Sequence, residues 1–215
     1  MPAELDVAGS AALLRDYNAT KIFAEKNGIK ISQQVFLTDV IGLASQLKEA
    51  PVVNLCEDKY YFAVGLAASL VAGAVTLMPQ NKTPAELGRC IAEQSAKQYL
   101  YDAKEQQGEV LEGLQGVDVG GALGKPFVSI SATSVPEIKK SQIAIIAFTS
   151  GSTGVPRAIP KTWGLLCATA AGLNERFSSL YSADGVALKG ARIVATVPAQ
   201  HMYCLLYTSP SPRDS

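Results

Sequence analysis

The sequence has one histidine, one tryptophan and four cysteines, and what these residues do not form excludes several chemistries. Cys56, Cys90, Cys167 and Cys204 show neither a Cys-x-x-Cys pair nor Cys/His ligand spacing. That argues against a zinc site and against a disulfide framework, and the thiols are read as reduced and packed. No run of Lys and Arg marks a nucleic-acid surface, and 19 basic residues balance 19 acidic ones. Residues 1–14 lack a basic segment followed by a long apolar core, so no signal peptide is read there. Residues 60–78 carry no charge and approach the roughly 20 apolar residues that a bilayer span needs. They are rich in Ala and Gly, however, and Gly73 followed by Val75-Thr76-Leu77-Met78 predicts a helix that stops and passes into a short buried strand. No membrane span and no nucleic-acid partner is expected. A composition of 48% apolar and 18% charged residues fits a cytoplasmic globular α/β chain whose partners are small molecules.

Two familiar phosphate and hydrolase signatures are also missing, although one loop comes near both. The segment Phe148-Thr149-Ser150-Gly151-Ser152-Thr153-Gly154-Val155-Pro156-Arg157 follows the apolar run Ile143-Ala144-Ile145-Ile146-Ala147. Gly154 is followed by Val155-Pro156 instead of Lys and Ser/Thr, so this is not a Walker A loop. No Gly-x-Ser-x-Gly occurs, which removes the main support for an α/β-hydrolase. The residue types still point to a phosphate grip. Gly151 and Gly154 permit a tight turn and close backbone approach, and backbone amides with the hydroxyls of Thr149, Ser150, Ser152 and Thr153 supply donors for polyphosphate oxygens. Arg157 adds a fixed positive charge. A buried strand that delivers such a loop is the usual geometry of a binding site.

Residues 149–157, Thr-Ser-Gly-Ser-Thr-Gly-Val-Pro-Arg, resemble the ATP-phosphate loop of the adenylate-forming superfamily: acyl-CoA synthetases, aryl acid ligases and peptide-synthetase adenylation domains. The resemblance implies that Thr149, Ser150, Gly151, Ser152, Thr153, Gly154 and Arg157 bind the β and γ phosphates of ATP with Mg²⁺. A carboxylate then attacks the α phosphorus, giving an acyl-adenylate and pyrophosphate, and a CoA or carrier-protein thiol takes the acyl group. The family commonly has Lys where this chain has Arg157. Charge survives the change, and the guanidinium fork suits phosphate oxygens. Lys161 is a second candidate for that charge.

A second segment carries the same resemblance. Arg192-Ile193-Val194-Ala195-Thr196-Val197-Pro198 reads as a strand, followed by Ala199-Gln200-His201-Met202-Tyr203. Pro198, His201 and Tyr203 match a Pro-x-x-His-x-aromatic segment that in the family lies beside the acyl pocket. The candidate catalytic residues are therefore Arg157 and His201, with His201 and Tyr203 as the substrate pocket. His201 is assigned to orienting the acid and not to general-base catalysis, because a carboxylate is already ionised at pH 7. Together with Asn54-Leu55-Cys56 and residues 156–163, these segments look closest to acyl or aryl acid ligases of the fatty-acid-like or aryl polyene type.

Periodicity predicts an amphipathic helix over residues 32–47, a strand over 51–56, a helix over 59–72 and a strand over 75–78. Thr83-Pro84-Ala85-Glu86 has the form of a capping box with proline at the first helical position, opening a helix to Gln94. Gln98-Tyr99-Leu100-Tyr101 is a third strand. Residues 102–125 read as a surface connection before a strand at 126–130, and Thr162 caps a helix over 162–177 with Trp163 in the core. The fold expected is α/β, mostly parallel sheets covered by helices, with ligand loops at the strand carboxyl ends. The resemblance implies, more specifically, an incomplete N-terminal domain of the adenylate-forming ligase fold.

The expected organisation is a partial adenylation domain over residues 1–203 and a non-native tail over 204–215. The tail Cys-Leu-Leu-Tyr-Thr-Ser-Pro-Ser-Pro-Arg-Asp resembles the translation, in one frame, of a sequencing adapter joined to a DNA read. The family's adenine, ribose and Mg²⁺ segments, its hinge and its late lysine are not among residues 1–203, so this chain alone is expected not to turn over. Two other readings share the loop: an NTP-dependent phosphotransferase and a non-catalytic nucleotide-binding module.

Overall fold

Val52 and Val53 are adjacent and both completely buried, yet they belong to different hydrophobic clusters. Successive side chains of a strand point to opposite faces, so a strand apolar at both positions must be covered on both sides. The computed structural model describes residues 8–102, 111–123, 134–149 and 157–183. In chain order its first elements are β1 (Ser10–Ala12), β2 (Ile22–Lys26), β3 (Ile29–Ser32), α1 (Gln33–Ala44), β4 (Val52–Asn54), α2 (Lys59–Val71) and β5 (Thr76–Met78). There follow α3 (Pro84–Gln94), β6 (Gln98–Tyr101), β7 (Gln115–Asp118), α4 (Val119–Leu123), β8 (Glu137–Lys139), β9 (Ile143–Thr149), β10 (Arg157–Thr162) and α5 (Trp163–Ala183).

Six strands form the main sheet in the order β10-β9-β5-β4-β6-β7. All neighbours pair parallel except β10, which returns antiparallel along β9. Two small antiparallel pairs, β1 with β8 and β2 with β3, stand apart from it. One face is covered by α1, α2 and α4, with Phe36, Val40, Phe62, Val64 and Val119 in its cluster. The other is covered by α3, whose Leu87 and Cys90 pack with Val53, Leu77, Tyr99 and Phe148.

Side-chain caps set the starts of the helices on the first face. Ser32 caps α1 by accepting from Val35 N–H at 3.3 Å. Asp58 caps α2, its carboxylate accepting from the amides of Tyr60 and Tyr61. The uncharged stretch 60–78 is indeed helix then strand: α2 ends before Gly73, whose φ of +73° turns the chain into β5. Among the described residues no helix is long and apolar enough to cross a membrane. A Cβ on Gly65 would lie 2.7 Å from Leu100 Cδ1 and 2.9 Å from Asn54 Nδ2, so only glycine lets α2 sit this close to the sheet. Thr162 caps α5 through Leu165 N–H, and Trp163 packs against the core with its indole N–H on Ala11 O.

Three expectations change. Thr83 begins α3, but its hydroxyl donates to Asn81 Oδ1 at 2.6 Å and makes no helix-cap bond. Residues 102–125 are more than a surface connection, because they contain β7 and α4. Residues 157–161, unassigned from periodicity, form β10 together with Thr162 despite Pro160, which an edge strand tolerates. The expected strand at 126–130 lies outside the described residues, as does the one at 192–198.

At the amino edge of the sheet the fully buried Gln98 joins β6 to the α1–β4 connection. Its amide oxygen accepts from Lys48 N–H at 2.8 Å, and its NH₂ donates to Lys48 O at 2.9 Å. Gln98→Ala is expected to lower unfolding free energy by about 1–3 kcal/mol, the cost of leaving buried backbone groups without partners. Urea unfolding monitored by far-UV circular dichroism checks this, and an unchanged midpoint would contradict it.

Candidate functional site

Parallel pairing sends the carboxyl ends of β4, β5, β6, β7 and β9 to one edge, ending at Asn54, Met78, Tyr101, Asp118 and Thr149. From β4 the chain crosses to α2 on one face, and from β5 it crosses to α3 on the other. Loops that part in this way open a crevice between the two strand ends, the usual ligand position of such sheets.

The loops around that crevice are held by polar contacts. Asn54, buried at the end of β4, donates to Phe62 O at 3.1 Å and accepts from Cys56 N–H at 3.2 Å. Asp102, one residue past β6, accepts from Asp58 N–H at 2.7 Å and from Glu57 N–H at 3.0 Å. Lys82 crosses from the β5 side, donating to Leu55 O at 2.9 Å and pairing with Glu57 at 3.0 Å. Lys26 pairs with the cap Asp58 at 3.1 Å and lies 3.3 Å from the Tyr61 ring centroid. Asp102, Lys82 and Lys26 were not singled out from sequence. For the first two the available signal was position, each being the first charged residue after a strand end.

Strand β9 runs past its neighbour. Met78, the last residue of β5, pairs with Ala147, so Phe148 and Thr149 carry β9 about 7 Å beyond it. There β10 begins, with Arg157 directly opposite Thr149 and Ala158 opposite Phe148. The structure therefore brings together Thr149 and Arg157, the two ends of the 149–157 loop, and the connection 150–156 starts and ends at that rung. Arg157 is exposed. Lys161 is not an equivalent source of charge: it pairs with Ile145, about 13 Å farther along β10. Ser150, Gly151, Ser152, Thr153, Gly154, His201 and Tyr203 lie outside the described residues, as does the segment 204–215.

Neither Cys56 nor Cys90 is set up as a nucleophile. Burial pushes the Cys56 thiol far above its usual range and the Asp102 carboxylate adds to that, with Lys82 opposing. Cys90 is pushed up to about 12, by burial first and then by Glu86. A nucleophilic cysteine needs the reverse. Among the described residues no group of three or more His, Cys, Asp or Glu could hold a metal ion.

A profile of AMP-binding enzymes matches residues 37–210, which span the parallel sheet and the β9–β10 hairpin. The chain belongs to the AMP-binding enzyme family. Its fold is that of the N-terminal part of adenylate-forming ligases. The NpsA N-terminal subdomain of Klebsiella oxytoca in complex with 3-hydroxybenzoyl-AMSN is similar with a TM-score of 0.56 and 17% identity, over 69% of this chain and 38% of that one. The o-succinylbenzoate CoA synthetase (MenE) of Bacillus subtilis in complex with its acyl-adenylate intermediate gives 0.60 and 16%, over 84% and 37%. The same synthetase in complex with ATP and magnesium ion gives 0.60 and 15%, over 86% and 50%. These identities establish likeness of fold. The chain spans half or less of the length of each of these structures, and no curated protein sequence matches it.

In the native chain at pH 8, Cys56 and Cys90 are expected to resist a disulfide-exchange reagent that labels the half-buried Cys167, and to react once urea unfolds the sheet. Mass spectrometry of the labelled peptides reads this directly. Rapid native labelling of Cys56 would contradict the site electrostatics.

Proposed function

We propose that the parent enzyme of this chain uses ATP to activate a carboxylic acid as its acyl-adenylate and then transfers the acyl group to a CoA or carrier-protein thiol. The observation that carries this reading is the register of the β9–β10 hairpin, which sets Thr149 opposite Arg157 at the carboxyl edge of a parallel sheet. Family membership and the fold likeness to enzymes solved with an adenylate or with ATP support it. The reading places the enzyme in the cytoplasm.

In this reading the backbone amides and hydroxyls of residues 149–154 surround the β and γ phosphates, with Mg²⁺ arriving as the nucleotide's counter-ion. Donors of this kind fit the rung that the structure describes: a strand end that projects past its neighbour and is paired with Arg157. The substrate carboxylate, ionised at neutral pH, attacks the α phosphorus without a base. An O–P bond forms, the bond to the pyrophosphate oxygen breaks, and the leaving charge develops where Arg157 can meet it. His201 and Tyr203 line the acid pocket and orient the carboxylate. The 215-residue chain binds nucleotide in this account but does not complete the reaction alone.

The test is acid-dependent exchange of labelled pyrophosphate into ATP by the full-length enzyme. Thr153→Ala and Arg157→Ala are each expected to weaken nucleotide binding by about 1.5–3 kcal/mol, roughly 10- to 150-fold, while His201→Ala changes the ranking of acids. Exchange that ignores the acid would instead favour a phosphotransferase, and unchanged exchange in both loop variants would remove the phosphate role.

A further inference from the structure

The α3 helix carries an ion cluster that the proposed chemistry does not use. Arg89 Nε and Nη2 donate to both oxygens of Glu86 at 2.8 to 3.1 Å, and Nη1 donates to both oxygens of Glu93 at 2.8 and 2.9 Å. A guanidinium is planar, so two carboxylates gripping its two sides fix both its position and its plane. So held, Arg89 places its central carbon 5.1 Å from the ring centroid of Phe148, within reach of a cation–π interaction. Phe148 is completely buried and stands one residue before Thr149.

Ion pairs between residues three or four apart on a helix add little to stability when they are exposed. This cluster differs in what it points at. The Glu86 side chain is only 10% exposed, and the cation it holds lies on the ring of Phe148, a fully buried residue of β9. Past the end of β5, Phe148 has no parallel neighbour at its own rung on that side, because Met78 pairs with Ala147. Its side chain is instead contacted from α3. The Phe148–Ala158 rung is followed at once by the Thr149–Arg157 rung, where the glycine and hydroxyl segment leaves the sheet.

We propose that Arg89, held by Glu86 and Glu93, is a positioning residue that fixes the projecting end of the β9–β10 ladder through the ring of Phe148. Its consequence for nucleotide binding rests on the reading of residues 149–154 given above, whereas the positioning itself does not.

Hydrogen exchange on the 215-residue chain, without ligand, tests the positioning. Arg89→Met removes the charge and keeps an apolar stem, and it is expected to speed exchange at the Phe148–Ala158 and Thr149–Arg157 rungs by about tenfold or more, leaving Ile145 and β4 unchanged. Arg89→Lys keeps a cation over the ring but loses the fork, and should recover part of the protection. Glu93→Gln gives a third comparison that does not depend on either variant folding well. Faster exchange confined to α3, or spread evenly through the sheet, would overturn the proposal by showing a purely structural role. In the full-length enzyme the same Arg89→Met change is expected to raise KM for MgATP several-fold with KM for the acid unmoved. If exchange responds as stated but MgATP binds neither form, the phosphate reading falls and the positioning stands.

Discussion

A parallel sheet that is covered on both faces leaves only its edges for chemistry, and this constraint arranges the rest of the molecule. The backbone of β4 is buried at every position, with Val52 turned to one hydrophobic cluster and Val53 to the other. Helices must therefore lie on both sides, which the α2 and α3 crossovers provide. Because the crossovers are parallel connections, β4, β5, β6, β7 and β9 all end on the same side. The loops that leave those ends are where polar groups can gather without desolvating the core.

The two edges are treated differently. At the amino edge, Gln98 is wholly buried and acts as an internal splint for the α1–β4 connection. At the carboxyl edge, the fixing groups are charged and partly exposed: Asp102 on the amides of Glu57 and Asp58, Lys82 on Leu55 O, Lys26 on Asp58. Partly exposed ionic contacts contribute modestly to stability, but they orient backbone and side chains in a region that water reaches. Rigid support beneath a binding segment is what lets that segment meet a ligand without paying an ordering cost at each encounter.

Much of this was legible in the residues. The alternation of helix and strand from Ser32 to Tyr101, the Thr162 cap and the stop at Gly73 follow from local rules that the structure obeys. Other elements depend on partners distant in sequence. In β7 only Val117 is buried, and Gly116 accepts the Tyr99 ring in the space where a Cβ would stand 2.6 Å from it, so its apolar pattern is too thin to read alone. Pro160 concealed β10, since a proline argues against a strand until the strand is known to be at an edge. The β2–β3 hairpin was legible and passed over: Asn27-Gly28, with φ of +51° and +77°, is a strong hairpin signal. In the site, Thr149 and Arg157 announce themselves by residue type. Asp102, Lys82 and Arg89 acquire meaning only through contacts across strands or between helix and sheet.

The central claim is that the carboxyl edge at the β9–β10 rung receives nucleotide phosphate. Amide chemical-shift mapping of the isotopically labelled chain during titration with MgATP tests it most directly. The account predicts saturable shifts centred on Thr149 and Arg157 and fading along β9 and β10 toward Ile143 and Thr162. Shifts centred on the amino edge around Gln98, or no saturable shift at Thr149 and Arg157, would contradict it.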